Sequence, residues 1–238
     1  MIEVLHKIII RTSSVCVILI LIASCNKDQS EVQSKDDKLF TSISSEYSGL
    51  TFSNPVVQTR ENNHMVNVEF IAGAGVAVGD INNDDLPDLF FTGNQVRDRL
   101  YLNKGNLRFK DISDDAGIMN NEIWSSGVTF VDVDNDGDQD IYVCRNVYLE
   151  DEKSANQLYI NNGDLTFSEE AVDFGIADNG FSVQAIFFDY NKDQLLDMYL
   201  VNQPPSIPGQ GGQLNKSMGE NRLFSDKLYQ NTGNKKFI

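Results

Sequence analysis

Histidine, cysteine, tryptophan and positive charge are all scarce in this chain. Its 238 residues include two histidines, three cysteines, one tryptophan and only 19 lysines and arginines. Against these stand 35 aspartates and glutamates, giving a formal net charge of −16. So acidic a chain excludes nucleic acid as a partner, because phosphates are held by a basic surface. The same balance argues against electrostatic docking on anionic lipid. His64 is the only histidine beyond the first 24 residues. Zinc sites and Ser-His-Asp or Cys-His catalysis therefore have almost nothing to build on. The cysteines Cys16, Cys25 and Cys144 are too few for a disulfide framework. Cys144 sits in an apolar run and reads as a buried strand thiol.

Long hydrophobic runs are missing too, except at the N-terminus. VCVILILIA, Val15 to Ala23, follows Lys7 and Arg11. It is short for a bilayer span, so residues 1–24 read as a cleaved leader. The leader ends in Ile22-Ala23-Ser24-Cys25. This resembles the lipobox of bacterial lipoproteins, which implies a diacylglycerol on the sulfur of Cys25. The alternative is an ordinary signal peptide with an incidental cysteine. Acyl chains contribute about 0.8 kcal/mol per buried methylene, so a multiply acylated Cys25 is a durable anchor. Residues 25–38 are polar, charged and free of aromatics, and read as a flexible tether.

What the chain does have is repetition. GVAVGDINNDDLPDLFFTGN (Gly75 to Asn94), GVTFVDVDNDGDQDIYVCRN (Gly127 to Asn146) and AIFFDYNKDQLLDMYLVNQ (Ala185 to Gln203) align with one another. Each is followed by a second shared phrase: RLYLNKGNLRF, QLYINNGDLTF and KLYQNTGNKKF. The leading aspartates, Asp80, Asp132 and Asp189, are 52 and 57 residues apart. Each unit reads as four short strands, with an Asn-x-Gly-[Asn/Asp] hairpin between the third and fourth. Four antiparallel strands in about 50 residues predict a propeller blade. A sandwich is the alternative, disfavoured by the regular repetition. The expected divisions are N-terminal strands over 39–72, then blades over 73–118, 119–177 and 178–238. An insertion at 204–222, rich in Gly, Pro and Ser, interrupts the third blade. It reads as a surface loop, either a ligand-contacting one or a tolerated insertion. Trp124, ahead of the second blade, reads as a packing residue.

The acidic residues are not spread evenly. Asp132 to Asp140 packs five aspartates into nine residues. Numbered from the leading aspartate, positions 1, 3, 5 and 9 are Asp80, Asn82, Asp84 and Asp88 in the first unit. They are Asp132, Asp134, Asp136 and Asp140 in the second, and Asp189, Asn191, Asp193 and Asp197 in the third. Alternate residues of a tight loop can aim oxygens at one centre. Position 7 (Leu86, Asp138, Leu195) can add a backbone carbonyl. About six hard oxygen ligands in a flexible loop suit Ca²⁺. An EF-hand is excluded, because position 12 is Phe91, Val143 or Leu200 in place of glutamate and the flanks are strands. Solvated Asx-turns without metal are the plain alternative. The second loop, with four carboxylates and Gly137 at position 6, is expected to bind most tightly. The first has Asp85 there, and the third has Gln194 and is expected to be weakest.

These repeats resemble FG-GAP/VCBS repeats, the blades of the integrin-α-type propeller. They are closer still to the bacterial VCBS/FG-GAP proteins that often carry an ASPIC/UnbV domain. The resemblance covers roughly residues 45–238, and Asp85 and Gln194 depart from the usual glycine. It implies an all-β propeller with calcium loops at one rim, outside the cytoplasm, in adhesion or recognition. About three four-stranded blades make an incomplete propeller, so the chain is expected to be part of a longer protein or a short form closed in another way. The expectation is a lipid-anchored envelope protein, on the outer membrane, binding up to three structural Ca²⁺ ions. Its ligand would be an extracellular polysaccharide or protein, and it would not be an enzyme. A polysaccharide-acting enzyme and a non-functional remnant remain as alternatives.

Overall fold

Apolar residues at alternate positions, punctuated by Gly, Asn and Asp, make short antiparallel strands with two buried faces. The computed structural model describes residues 39–60, 63, 73–118, 124–146, 155–203 and 225–238. Met1–Ser42 and Ile43–Ile238 form separate units, and the second holds all the secondary structure described here. The leader, Cys25, the 25–38 tether and the 204–222 insertion lie outside the described residues. No helix among the described residues is long and apolar enough to cross a membrane.

Among the described residues, eleven strands form three antiparallel sheets. The first is β1 (Val76–Gly79), β2 (Asp88–Phe91), β3 (Arg99–Asn103) and β4 (Phe109–Asp111), paired in that order. The second is β5 (Ser125–Val131), β6 (Asp140–Arg145), β7 (Gln157–Asn161) and β8 (Phe167–Glu169). The third is β9 (Ser182–Phe188), β10 (Asp197–Asn202) and β11 (Lys227–Tyr229). Its fourth position is a single bridge, Asn231 to Phe237. Each sheet is a meander, as one propeller blade requires.

The described part of 39–72 departs from the expected strands. Residues 50–57 make no ladder. Phe52 instead stacks on Phe91 at 5.1 Å between ring centres. Asn54 Nδ2 donates to Asn94 Oδ1 at 2.6 Å. Pro55 has no N–H to give to a ladder, which disfavours strand pairing here. Two four-residue helices, unforeseen in the sequence, stand here and after β8: α1 (Ser45–Ser48) and α2 (Ala171–Phe174). Each stops at a left-handed glycine, Gly49 or Gly175, both with φ of 78°. A side chain is strained in that conformation.

Adjacent sheets pack face to face and share two apolar layers. Ala77, Phe90 and Leu100 meet Val128, Ile141, Val143 and Tyr159. Tyr142, Cys144, Leu158 and Phe174 meet Ala185, Met198 and Leu200. The innermost strands come close. A Cβ on Gly127 would sit 2.3 Å from Val183 O. Thr129 Oγ1 donates to Ala185 O at 2.8 Å across the same junction. Cys144 is fully buried in the second layer, and burial pushes its thiol far above the ordinary range. Trp124 is buried at the start of the second sheet.

Candidate functional site

The three acidic loops all join the first strand of a sheet to the second, and all fold alike. The leading aspartate turns its carboxylate back on the loop. Asp80 accepts from the N–H groups of Asp84 (3.2 Å) and Asp85 (2.8 Å). Asp132 accepts from Asp136 and Gly137, both at 3.1 Å. Asp189 accepts from Asp193 (3.1 Å) and Gln194 (3.0 Å). Position 5 then accepts from the N–H of position 7 at 2.9 Å in every loop. These are nested Asx-turns, and they need left-handed backbone at positions 4 and 6. Asn83 and Asp85, Asn135 and Gly137, and Lys192 and Gln194 all have positive φ. Lys192 and Gln194 fit that region worst, so the third loop carries the most backbone strain.

Position 3 separates the loops. Asn82 Nδ2 donates to Asp84 Oδ2 at 3.0 Å, and Asn191 Nδ2 donates to Asp193 Oδ2 at 2.8 Å. Those two loops relieve their own acidity with an internal donor. The second loop has Asp134 at this position and no such donor. One carboxylate oxygen from each of Asp132, Asp134 and Asp136 lies within 4.8 Å of the others. Asp134 Oδ1 is buried with no hydrogen-bond partner. Burial first, then the Asp136 carboxylate, raises the Asp134 pKa, while Lys235 works against them. Lys235 Nζ stands 3.8 Å from Asp134 Oδ2 and 3.6 Å from Glu170 Oε2. Three converging oxygens with one orphaned acceptor fit a divalent cation, which needs oxygens and supplies charge. Beside them opens a cavity of about 240 Å³, lined by Val133, Asp134, Asp136, Asn231 and Lys235 among others.

The position 9 aspartates do something the spacing did not disclose. Asp88, Asp140 and Asp197 are fully buried. Each accepts a backbone N–H on both oxygens. One comes from position 2: Ile81 (3.0 Å), Val133 (3.0 Å) or Tyr190 (3.3 Å). The other comes from Asn103 (2.6 Å), Asn161 (2.8 Å) or Asn231 (2.8 Å) at the end of the third strand. They pin the loop base to the hairpin. Their remaining lone pairs are what a cation could share. Burial raises Asp140 to about 7, opposed by the Asn161 and Val133 N–H groups and reinforced by Asp134 and Asp136. Asp88 shifts in the same direction, again chiefly through burial.

Sequence reasoning missed Asn103, Asn161 and Asn231 as individual actors. They open the Asn-x-Gly hairpins and read as turn-formers, yet their φ is not positive. Their side chains do the work. Each Oδ1 accepts the N–H of the following glycine, at 2.9 to 3.0 Å. Asn161 Nδ2 donates to Gln139 O (3.2 Å) and across the junction to Ile81 O (2.8 Å). Asn231 Nδ2 likewise reaches Leu196 O (3.2 Å) and Val133 O (3.3 Å). The first and second acidic loops are thereby each tied to the next sheet. Further ties run from Asn83 Nδ2 to Asp138 Oδ1 (2.7 Å) and from Asn135 Nδ2 to Gln194 O (3.4 Å).

Strand, acidic loop, strand and hairpin in this order match a known repeat: the FG-GAP-like repeat family matches residues 80–143. Residues 80–143 are thus similar to an FG-GAP-like repeat. The match runs from the leading aspartate of the first loop through the second loop and into β6. The third sheet, outside the matched residues, has the same loop and hairpin bonds. A comparison with curated proteins gave no match. Among solved structures, an Agrocybe aegerita lectin, described for specific recognition of non-reducing terminal N-acetylglucosamine, is similar at 17% identity. That alignment covers 71% of this chain and 37% of the lectin chain, with a TM-score of 0.37. The chain thus spans little more than a third of the lectin's length.

Proposed function

We propose that this chain is a calcium-stabilised recognition module of the bacterial envelope, anchored through lipid on Cys25. The observation that carries the calcium reading is the second loop, where Asp132, Asp134 and Asp136 converge within 4.8 Å and Asp134 Oδ1 lacks any partner. A divalent cation there would draw its oxygens from those three side chains, with Asp140 behind them. The first and third loops would take Ca²⁺ by turning the Asn82 and Asn191 amide oxygens inward. Each ion would tie the first two strands of a sheet, and the ions of the first and second loops would also tie in the next sheet through Asn161 and Asn231. The ions are therefore structural, up to three in number.

Recognition of an extracellular polysaccharide or protein fits a rigid scaffold with loops at its rims. A binding module is favoured over an enzyme, because the carboxylates with defined geometry are engaged in the loops. The test is binding of the intact protein to glycan arrays and envelope proteins, with Ca²⁺ and with chelator. The expected outcome is a ligand held in Ca²⁺ and released by chelator. Binding that ignores chelator would contradict the structural role of the ion. A Cys25→Ser variant is expected to move from the membrane fraction to the soluble one; an unchanged distribution would remove the anchor.

A further inference from the structure

We propose that the cleft between Phe52, Arg97, Arg99 and Tyr101 binds the carboxylate of a uronic acid, an acidic sugar of a polysaccharide. The internal repeat shows what the cleft lacks. Lys227 and Tyr229 open the shared phrase of the third sheet, as Arg99 and Tyr101 open that of the first. In the third sheet both donors meet one acceptor. Lys227 Nζ pairs with the buried Asp178 carboxylate, and Tyr229 Oη donates to the same oxygen at 2.9 Å. In the second sheet the corresponding pair is joined directly, Tyr159 Oη donating to Gln157 Oε1 at 2.9 Å.

The first sheet has no such acceptor. Asp178 comes three residues after Gly175, the left-handed glycine that ends α2. Three residues after Gly49, which ends α1 in the same conformation, comes Phe52. The two glycines lie against corresponding carbonyls. A Cβ on Gly49 would meet Phe109 O at 2.4 Å, and one on Gly175 would meet Phe237 O at 3.1 Å. Phe52 thus follows α1 at the position Asp178 holds after α2, and a phenyl ring cannot replace a carboxylate. The donors are correspondingly underused. Arg99 Nε stands 3.7 Å from Asp111 Oδ2, and Tyr101 Oη lies 3.4 Å from Thr51 Oγ1. Both distances are long for a hydrogen bond.

Beside these donors opens a cleft of about 290 Å³. That is the small end of ligand sites, suited to a single sugar residue. Arg97 also lines it, so two guanidiniums face one carboxylate, that of Asp111. This is a local excess of positive charge in a chain of net −16. Guanidinium forks hold carboxylates through paired N–H bonds. The remaining lining fits a sugar better than an acidic peptide. Phe52, stacked on Phe91 at 5.1 Å, offers an apolar ring to the C–H face of a pyranose. Asp111 and the hydroxyls of Thr51 and Ser53 also line the cleft and suit ring hydroxyls. Asp111 is held in place, because its Oδ1 accepts from Ser113 N–H (3.0 Å) and Ser113 Oγ (2.6 Å). The choice of a sugar rests on the recognition reading above, whereas the carboxylate site rests on the unused donors and needs no calcium.

The test is saturation-transfer NMR on the full chain in nonionic detergent with chelator present. The probes are glucuronate, galacturonate, glucose, galactose and a triglutamate peptide. Ring protons of at least one uronate are expected to saturate at millimolar concentration, and those of the neutral sugars are not. Arg99→Gln is expected to weaken uronate binding by about tenfold. Phe52→Asp, which places a carboxylate where the third sheet has one, is expected to abolish it. Both variants are expected to keep the wild-type β-sheet circular dichroism. The proposal is overturned if neither uronate saturates, if the neutral sugars saturate equally, or if binding survives both substitutions. Triglutamate held as tightly as uronate overturns the assignment to a sugar. A silent cleft alongside a glycan bound on the arrays leaves the recognition reading standing. Uronate held in the cleft of a protein that retains no array glycan leaves the cleft standing.

Discussion

Lys235 is the residue that most changes the expectation for the acidic loops. It occupies the hairpin position held by Leu107 and Leu165 in the earlier units. Leu165 packs into the first apolar layer, whereas Lys235 reaches Asp134 at 3.8 Å. Its ammonium would compete with a cation for Asp134. Coulomb repulsion between Lys235 and an ion at Asp134 would weaken the second loop relative to its carboxylate count. Calorimetry of Lys235→Leu is therefore expected to show tighter Ca²⁺ binding, by several-fold, with Asp132→Ala abolishing that site. Unchanged affinity in Lys235→Leu would show that the ammonium plays no part. Asp140 gives the matching pH prediction. In metal-free protein its carboxyl is raised from 3.8 to about 7, burial being the main cause. Between those values the folded chain holds a proton that the unfolded chain has released. The group's contribution to stability is present at low pH and declines as pH rises toward about 7. Bound Ca²⁺ favours the ionised form and reverses the slope. Melting curves over that range, with and without Ca²⁺, are expected to slope oppositely; parallel slopes would count against it.

At the scale of the element, the unit that matters is loop plus hairpin. Asn161 holds Gly163 N–H, Gln139 O and Ile81 O at once. Asn161→Ala leaves these groups without that partner at a nearly buried site, at a cost of about 1–3 kcal/mol. Urea unfolding should show that loss with an unchanged slope; a change below a few tenths would refute the clasp. The strands and loops were legible in the sequence, because alternation, Asn-Gly hairpins and repeated aspartates are local signals. The second bond of Asp140, to a strand about twenty residues away, was not, since it depends on register. Nor was α1, whose serine-rich sequence has no apolar stripe. Its resemblance to the turn at residues 114–117 shows only in the structure, where Gly49 and Gly117, with φ of 78° and 77°, face Phe109 O and Phe167 O. Positions 4 of the loops were overlooked because Asn83, Asn135 and Lys192 share no single residue type, although all have positive φ.

For the whole molecule, three sheets, two apolar layers and one row of acidic loops make a single argument. The loops concentrate negative charge in a chain that already carries −16. Backbone N–H groups serve all three loops alike; the Asn82 and Asn191 side chains relieve the first and third, and Asp134 Oδ1 of the second is left unsatisfied. A divalent ion binding only the folded form adds stability as RT ln(1 + [L]/Kd), about 2.7 kcal/mol at a hundredfold excess over Kd. The most direct measurement is the thermal midpoint at neutral pH in millimolar Ca²⁺ and in chelator, for wild type and for Asp132→Ala/Asp136→Ala. The account predicts a midpoint that rises with Ca²⁺ in wild type and rises less in the double variant. Superimposable wild-type curves in Ca²⁺ and in chelator would contradict it.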